Sequence, residues 1–505
     1  MEKFQKFEER IKQQQCLIGK QGFCCKNCLF GPCILAKENS KGVCGASQEL
    51  VVSRNLLRFV ASGTACHCGH ALHLLNAINK KFPNAYIEKK APSYLLDLWK
   101  KLGILPKIAF EHFKDISEAL HMTAFGVSSD YKQVLLNCLK LGIIDGYYGL
   151  YLATELEDKL YGKPKQKKAF VDLGVLKKDK VNIAVHGHLP IFAEAMAKEA
   201  RKHKDINLVG VCCTGAFLLN KLGIPQASHV LLQEQVIASG IIEAIAVDVQ
   251  CIMPSLSDLV ECYHTKLITT NEIAKMPNAL HMPIKTLADA KKVARRIIEI
   301  ARKNKTKRNK VHEAEFDKIK NKKTIAVVGF DESIWKKLNE RLKRKSIKGI
   351  LAFIGCVNAR CNKEEWLRVI KELSKDYAIL TTGCMAFELA KNGLLDGKKV
   401  FHLGSCVNNA RIAEIFKRIA DANKTKITDM PFLVSAPMPI TEKCMAIGFF
   451  FAALGLDVHF GYNALLRSNK KVQNFLSNAL KKHFHSKIFL EENANAFKEN
   501  LSFSY

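Results

Sequence analysis

Residues 181–190, VNIAVHGHLP, form a short β-branched run that ends in two histidines. Similar apolar runs occur at 207–211, 244–249 and 267–270, with helical segments between them. Short buried strands that alternate with helices are typical of a parallel, doubly wound sheet. We therefore predict an α/β domain that begins at residue 181.

A second series of strands predicts a second α/β domain. Its runs lie at 324–328, 349–354, 378–382, 400–403 and 432–434. The lysine- and arginine-rich stretch 295–323 between the two series is expected to be an exposed helix and linker. Before residue 181, apolar residues recur at three- and four-residue steps, which predicts helices. The predicted domains are an N-terminal helical domain at 1–180, a middle α/β domain at 181–322 and a C-terminal α/β domain at 323–505, both α/β domains being Rossmann-like.

Composition favours a multidomain globular enzyme. The chain has 505 residues, of which 48% are hydrophobic and 25% charged, as in ordinary folded proteins. Its net charge of +30 comes without a nucleic-acid-binding motif, so we predict a solvated lysine-rich surface and no nucleic-acid partner. The apolar run 445–456 is too short to span a membrane and is interpreted as a buried helix. The N-terminus lacks a secretion signal, which predicts a cytoplasmic location.

Eighteen cysteines indicate metal binding, since reducing compartments and large domains do not favour disulfides. Nearly every predicted strand ends in a potential metal ligand. These residues are His186, His188, Cys212, Cys213, Cys251, Cys356, Cys384 and Cys406. Because the carboxyl ends of parallel strands meet at one edge of a sheet, we expect six of these ligands to converge between the two α/β domains.

A separate group of cysteines lies near the N-terminus, with glycines among them. It consists of Cys16, Cys24, Cys25, Cys28, Cys33 and Cys44. The last four fit one four-iron cluster, although their spacing fits a structural zinc site equally well. Cys24 and Cys25 favour clusters, because neighbouring side chains point apart and would serve different centres. Cys16 and Cys24 would be half of a four-iron site completed across a two-fold axis, which predicts a homodimer.

These patterns resemble the anaerobic nickel-containing carbon monoxide dehydrogenases. The matching segments are 16–46, 65–74, 181–190 (VNIAVHGHLP), 210–215 (GVCCTG), 248–254 (DVQCIMP), 354–358 (IGCVN), 381–384 (TTGC), 403–408 (LGSCVN) and 435–448. The resemblance implies a prismane/CO dehydrogenase-like fold and reversible oxidation of CO with water to CO2, releasing two protons and two electrons. It implies a homodimer that passes electrons to ferredoxin or a similar carrier, with acetyl-CoA synthase or a hydrogenase as a further candidate partner.

The resemblance also implies three kinds of metal centre. A nickel-iron-sulfur catalytic cluster would be held by His188, Cys213, Cys251, Cys356, Cys384 and Cys406. A 4Fe-4S relay cluster would be held by Cys25, Cys28, Cys33 and Cys44. A 4Fe-4S or 2Fe-2S cluster shared at the dimer axis would be held by Cys16 and Cys24. No role is assigned to the remaining cysteines, which are Cys66, Cys68, Cys138, Cys212, Cys262, Cys361 and Cys444.

Three histidines share one side of a predicted helix: His67, His70 and His73. Alone, such a row is more typical of a polar surface stripe, although histidine titrates near neutral pH and suits a proton relay. The resemblance makes His67 the acid/base residue and the other two its outward relay, while the next position, Asn76, is not histidine. It also implies that Lys443 stabilises negative charge and that Ile447 is an apolar wall of the CO pocket.

Two alternatives stay open. A hybrid-cluster protein, such as a hydroxylamine reductase, would share the architecture but would replace some thiolates with glutamates. Cysteine at all of these strand ends favours carbon monoxide chemistry instead. A non-catalytic iron-sulfur protein would keep the cysteines for redox sensing or structure.

Overall fold

The first third of the chain is mainly helical in a computed structural model that describes residues 6–106 and 112–501. Its helices are α1 (Phe7–Arg10), α2 (Leu17–Lys20), α3 (Gln48–Ala77), α4 (Tyr86–Lys90), α5 (Ser93–Lys101), α6 (His112–Met122), α7 (Tyr131–Ile144) and α8 (Leu152–Tyr161). A π-helical segment, Asp145–Tyr151, joins α7 to α8. Two short antiparallel strands, β1 (Cys24–Cys25) and β2 (Cys33–Ile34), lie in the cysteine-rich N-terminus.

The first large sheet follows the helical region. Its strands are β3 (Lys167–Val171), β4 (Val181–Gly187), β5 (Ile206–Val211), β6 (Gln226–Ser228), β7 (Ile242–Val247), β8 (Lys266–Thr269), β9 (Leu280–His281) and β10 (Thr324–Val328). They lie in the order β10-β3-β6-β5-β4-β7-β8-β9 and are parallel except for the β10–β3 pair. The accompanying helices are α9 (Pro190–Ala200), α10 (Cys212–Leu222), α11 (Gln233–Ala238), α12 (Leu256–Leu259), α13 (Leu287–Lys305) and α14 (Lys310–Ile319).

The second large sheet is parallel throughout. Its strands are β11 (Ile350–Phe353), β12 (Ala378–Thr381), β13 (Val400–His402), β14 (Phe432–Ala436), β15 (Asp457–Phe460) and β16 (Ile488–Leu490), in the order β13-β12-β11-β14-β15-β16. Its helices are α15 (Ile334–Lys343), α16 (Lys363–Leu373), α17 (Gly383–Lys391), α18 (Asn409–Ala422), α19 (Glu442–Ala453), α20 (Ala464–Arg467), α21 (Lys470–Phe484) and α22 (Ala494–Glu499). Short 3-10 turns are Leu173–Val175, Val230–Leu232, Cys406–Asn408 and Ile427–Asp429. The predicted fold class is confirmed.

Two strands differ from the sequence prediction. Strand β3 lies inside the region predicted to be helical, and β10, expected to open the second α/β domain, pairs antiparallel with β3 at the edge of the first sheet. The apolar pattern identifies β10 as a strand but does not say which sheet it joins. The chain therefore returns to the first sheet before it builds the second, and the domain limits at 180 and 322 stay predictions.

Helix α19 is the buried centre of the helical region. Every residue from Lys443 to Ala453 is buried, as predicted for the apolar run, and the helix packs on α3 and α7. A Cβ on Gly63 would lie 2.4 Å from the Glu442 carbonyl oxygen, and one on Gly142 would lie 2.5 Å from the Phe449 carbonyl carbon. Glycine at these positions thus lets the helices approach closely. Among the described residues, no helix has the length and apolar character to cross a membrane.

Candidate metal centre

The predicted metal ligands lie in the turns that follow the strands. His188 follows β4, and α10 starts at Cys212 directly after β5. In the second sheet, Cys384 lies in the first turn of α17 and Cys406 in the 3-10 turn after β13. Two α/β units with parallel strands thus deliver ligands from the same kind of edge, as the sequence predicted.

The tightest group of donor atoms follows three neighbouring parallel strands of the first sheet, β4, β5 and β7. The ligand atoms of His188, Cys212 and Cys251 lie within 4.8 Å of one another. The Cys212 sulfur is also 4.0 Å from the Cys384 sulfur, which brings in the second sheet. Thiols from the two sheets therefore meet within the reach of a single metal cluster.

The remaining predicted ligands border this group. The backbone N–H of Cys406 donates to the Cys213 sulfur at 3.5 Å, and the Cys356 sulfur lies 3.6 Å from the Thr441 hydroxyl oxygen. Burial raises the pKa of the Cys356 thiol to about 12, and the nearby thiols of Cys251 and Cys384 act in the same direction. The predicted ligand set is thus gathered in one region, and the assignment of each ligand stays a prediction.

Cys212 is one of the seven cysteines to which the sequence assigned no role. The structure places its sulfur in the donor group, while the Cys213 sulfur contacts Cys406 in the 3-10 turn after β13. Cys212, Gln250 and Cys251 all have positive φ angles, of 58°, 67° and 56°, a strained backbone state that clusters at functional sites. The adjacent cysteine pair was a usable signal, but its spacing alone could not say which sulfur joins the group.

The site stabilises the thiolate form of two cysteines and the protonated form of His188. Hydrogen bonding with Cys212 holds the pKa values of the Cys213 and Cys251 thiols well below the usual range. Burial disfavours the charged form of His188, but the negative charge of Cys213 and Cys251 outweighs it and raises the His188 pKa to about 10. Since thiolate is the form that binds metals, the pocket is prepared for a cation. Metal binding at His188 would release its proton.

Lys443 lies directly against this group. It stands in the first turn of α19, is 2% exposed, and its Nζ lies 2.8 Å from His188 Nε2. The same ammonium donates to Gln250 Oε1 at 3.1 Å and to the Cys251 sulfur at 3.2 Å. Burial opposes its charge, but the surrounding thiolates raise its pKa well above the usual range. Ile447, one turn further along α19, is fully buried, and its role as a pocket wall stays a prediction.

The three histidines lie on α3, next to the site. His67 Nδ1 is 2.7 Å from Asp145 Oδ1, and both side chains are buried. Burial raises the Asp145 pKa against the opposing effect of His67. His67 Nε2 is buried without a hydrogen-bond partner among the described residues. Asp145 is the first residue of the π-helical segment, and π-helical turns are often found at functional sites.

A cavity of about 600 Å³ connects the histidine row with the metal centre. It is lined by Cys66, His70, His73, Asn76, His188 and Gln250, among others. Burial lowers the His73 pKa to about 4, and the neighbouring His70 adds to the effect. The open Ile273, 90% exposed, also lines this cavity. The row that ends at Asn76 therefore faces a space that reaches the surface.

The N-terminal cysteines lie in a separate hairpin. Cys25 faces Cys33 across β1 and β2, and a Cβ on Gly42 would lie 3.6 Å from the Cys33 sulfur. Cys16 caps α2 by accepting from the Gly19 backbone N–H at 3.3 Å. Within 6–106 and 112–501, only the group around His188 has three donor atoms mutually within 4.8 Å. The assignments of Cys16, Cys24, Cys25, Cys28, Cys33 and Cys44 to clusters stay predictions.

Comparison with known proteins decides the family. Residues 23–87 and 75–495 match the model of the Prismane/CO dehydrogenase family. The chain belongs to the Prismane/CO dehydrogenase family. Among its relatives in this family, carbon monoxide dehydrogenase 1 of Methanosarcina acetivorans is 33% identical over 548 aligned residues, covering 90% of this chain and 86% of that protein. The predicted resemblance is confirmed.

Solved structures from the Prismane/CO dehydrogenase family superpose on nearly the whole chain. Carbon monoxide dehydrogenase IV from Carboxydothermus hydrogenoformans has a TM-score of 0.91 at 30% identity, covering 99% of this chain and 95% of that one. A nickel-free carbon monoxide dehydrogenase from Thermococcus sp. AM4 has a TM-score of 0.89 at 31% identity, covering 98% and 92%. The fold therefore matches from end to end.

The donor set of this Prismane/CO dehydrogenase family member suits a thiolate-ligated cluster. One imidazole and several thiols face each other in a buried region, with a 4.0 Å sulfur–sulfur distance between Cys212 and Cys384, too long for a disulfide bond. Two of the thiols favour the thiolate form. Thiolate ligands select zinc and iron-sulfur clusters, and imidazole also suits nickel and iron, whereas magnesium and calcium prefer oxygen ligands. The residues present fit the family's metal centre.

Proposed function

We propose that this chain is an oxidoreductase that converts CO and water to CO2, two protons and two electrons, and that the reaction is reversible. The observation that carries the proposal is the group of imidazole and thiol donors from two sheets, with the Lys443 ammonium buried against it. Membership of the Prismane/CO dehydrogenase family supports the same reaction.

Residues of both sheets would hold a nickel-iron-sulfur cluster. They are His188, Cys213, Cys251, Cys356, Cys384 and Cys406, with Cys212 as an additional sulfur donor. When bound, this cluster supplies the carbon-binding, water-activating and electron-accepting chemistry. Lys443 supplies a buried positive charge 2.8 Å from His188 Nε2, which stabilises negative charge that develops on the reacting oxygens.

His67 is the proposed acid/base residue. Asp145 accepts a hydrogen bond from the Nδ1 side of the ring, which leaves Nε2 as the nitrogen that takes and gives protons. Because Nε2 has no partner among the described residues, it is free to accept a proton from the reaction. His70 and His73 then carry protons to the cavity that they line.

Electrons would leave through the N-terminal cysteines. The proposal places a 4Fe-4S relay cluster on Cys25, Cys28, Cys33 and Cys44 and a shared 4Fe-4S or 2Fe-2S cluster on Cys16 and Cys24. Exposed apolar side chains around these cysteines, Leu17, Leu29, Phe30, Ile34 and Val43, support a homodimer contact here. Sedimentation of the iron-loaded chain as a monomer would contradict this arrangement. Ferredoxin is the proposed electron acceptor, because a small acidic protein would be attracted by the net charge of +30. Acetyl-CoA synthase or a hydrogenase is a further proposed partner.

The test is CO-dependent reduction of a viologen dye by protein that is purified without oxygen and loaded with iron and nickel. We expect activity in the wild type, and loss of nickel and activity in Cys384→Ser. Cys361→Ser is the matched control, because Cys361 has no part in the donor group. An inactive wild-type protein with full iron and nickel content would overturn the proposal.

Hydroxylamine is the second substrate to assay. Nickel-independent reduction of hydroxylamine, without CO oxidation, would identify a hybrid-cluster enzyme instead. Bound iron with neither activity, unaffected by Cys384→Ser, would indicate a non-catalytic iron-sulfur protein.

A further inference from the structure

Glu157 is a buried carboxylate that the reaction scheme above does not use. It lies on α8, is 1% exposed, and its Oε1 is 3.3 Å from His70 Nε2 without hydrogen-bond alignment. Its Oε2 accepts a hydrogen bond from Asn408 Nδ2 at 2.9 Å. A carboxylate removed from water is costly unless it is paired or protonated. Binding of a proton by Glu157 would therefore remove a buried negative charge.

Four groups face Glu157, and they lie on α3, on α10, on its own helix α8 and in the 3-10 turn Cys406–Asn408. His70 faces it from α3 and Asn408 from the 3-10 turn. Lys221 on α10 and Tyr161 on α8 lie close enough for electrostatic interaction. Lys221 forms its ion pair with the next residue, Asp158. Of these groups, His70 is the one whose ring nitrogen lies next to a Glu157 oxygen and which also lines the cavity.

Glu157 repeats an arrangement found one turn earlier on α3. His67 pairs with Asp145, and His70 pairs with Glu157. All four side chains are buried, and both carboxylates belong to the continuous stretch formed by the π-helical segment and α8. Two histidine–carboxylate pairs therefore follow one another along α3, and His70 of the second pair also lines the cavity.

We propose that Glu157 is a positioning residue that holds a relayed proton through His70. The idea rests on the proposed function, in which each CO releases two protons, one for each of the two pairs. The proton taken up by the pair is held on His70 Nε2 or on Glu157 Oε1, which lie 3.3 Å apart. It leaves through His70 to water in the cavity lined by His70 and His73. No electron moves in this step, and the pair returns to its starting charge.

A purely structural role for Glu157 would act through Asn408. The Asn408 Oδ1 atom accepts from the Ser405 backbone N–H at 2.9 Å and from its hydroxyl at 3.2 Å, and Cys406 lies inside this turn. Glu157→Gln separates the two roles. Glutamine keeps an oxygen that accepts from Asn408, but it cannot bind a proton near neutral pH.

The first measurement compares turnover in the iron- and nickel-loaded enzymes. In Glu157→Gln we expect kcat to fall by about tenfold and the pH profile to change, while the metal content stays the same. Added imidazole, which can carry protons in place of the pair, should restore part of the activity. Glu157→Asp keeps a carboxyl group and should retain most of the activity. The matched control is Glu155→Gln on the same helix, since Glu155 is half-exposed and pairs with Lys90. Wild-type kcat and pH profile in Glu157→Gln would overturn the proposal.

The second measurement needs no metal. Infrared difference spectra of the metal-free chain, recorded between acidic and alkaline pH, should contain a band of a buried protonated carboxyl group in wild type and Glu155→Gln. One such band should be missing in Glu157→Gln, while the bands of other buried carboxyl groups, such as Asp145 and Asp248, remain. A Glu157→Gln spectrum identical to that of the wild type would overturn the proposal even if that variant failed to take up metal. An inactive wild type would contradict the proposed function alone, since the infrared result is independent of CO chemistry.

Discussion

Lys443 illustrates how one residue sets the charge of the site. Its ammonium is buried and donates to Cys251 while lying 2.8 Å from His188 Nε2. We predict that Lys443→Ala lowers kcat for CO oxidation about 100-fold, because the charge that stabilises the transition state is lost. Lys443→Arg should restore little, since a planar guanidinium does not replace a compact ammonium.

The control for this prediction is Lys471→Ala. Lys471 has a 59% exposed side chain and pairs with Glu49 at 3.2 Å. It has no contact with the donor group around His188. Viologen reduction under CO measures both variants. Comparable activity in Lys443→Ala and Lys471→Ala would show that the buried charge is unimportant.

At this scale, the sequence predicted which types of residue gather at the sheet edge, while the identity of each metal ligand stays a prediction. Strand-end cysteines and His188 were expected at one sheet edge, and they lie there. The neighbouring residues Cys212 and Cys213 could not be told apart from the sequence. The Cys212 sulfur lies in the donor group, and the Cys213 sulfur accepts from the Cys406 backbone N–H. The Glu157–His70 contact could not be predicted from the sequence either, because it joins α3 and α8, whose packing is not defined by any local pattern.

Helices α3 and α19 depend on glycine at their closest approach. A Cβ at Gly63 would lie 2.4 Å from the Glu442 carbonyl oxygen. We predict that Gly63→Ala destabilises the metal-free chain by about 1–3 kcal/mol, because the helices must separate. Gly69→Ala on the same helix is the control, since nothing lies within 4 Å of its added carbon, and alanine favours helix there. Urea unfolding measures both, and equal midpoints would contradict the packing argument.

Element prediction succeeded where the apolar pattern was local. Strand β4 and the buried α19 were both expected from their residues. Strand β10 was recognised but assigned to the wrong sheet, because its partner β3 lies far away in the chain. Pairing across such a distance is decided by the packing of the complete molecule.

The two α/β units are joined through a buried contact between a histidine and a glutamate. His229, at the end of the β6 segment, lies with its Nε2 2.7 Å from Glu388 Oε1 on α17. Burial alone would raise the Glu388 pKa, but the hydrogen bond with His229 and the charges of Lys363 and Lys391 lower it to about 2. The ionised carboxylate therefore stabilises the folded chain.

A depressed folded-state pKa gives a defined pH dependence. The stabilisation is complete above pH 4.5, the ordinary value for glutamate, and disappears as pH falls through about 2. We predict that Glu388→Gln lowers the free energy of unfolding of the metal-free chain by about 3 kcal/mol at neutral pH, with the difference shrinking in acid. Urea midpoints measured across this range test it, with Glu414→Gln as the control, since Glu414 is only partly buried and pairs with Arg418 on the same helix. A difference that grew in acid would refute this account.

The burial of α19 between α3 and α7 also sets an order of events in the cell. The ribosome completes α3 and α7 long before it reaches residue 442, so the nascent helices have an unfilled groove until α19 has been made. Lys443 enters the site on this late helix. The core of the helical region and the positive charge beside the donor group are thus completed in one step, and a nascent chain that stops before residue 442 has neither.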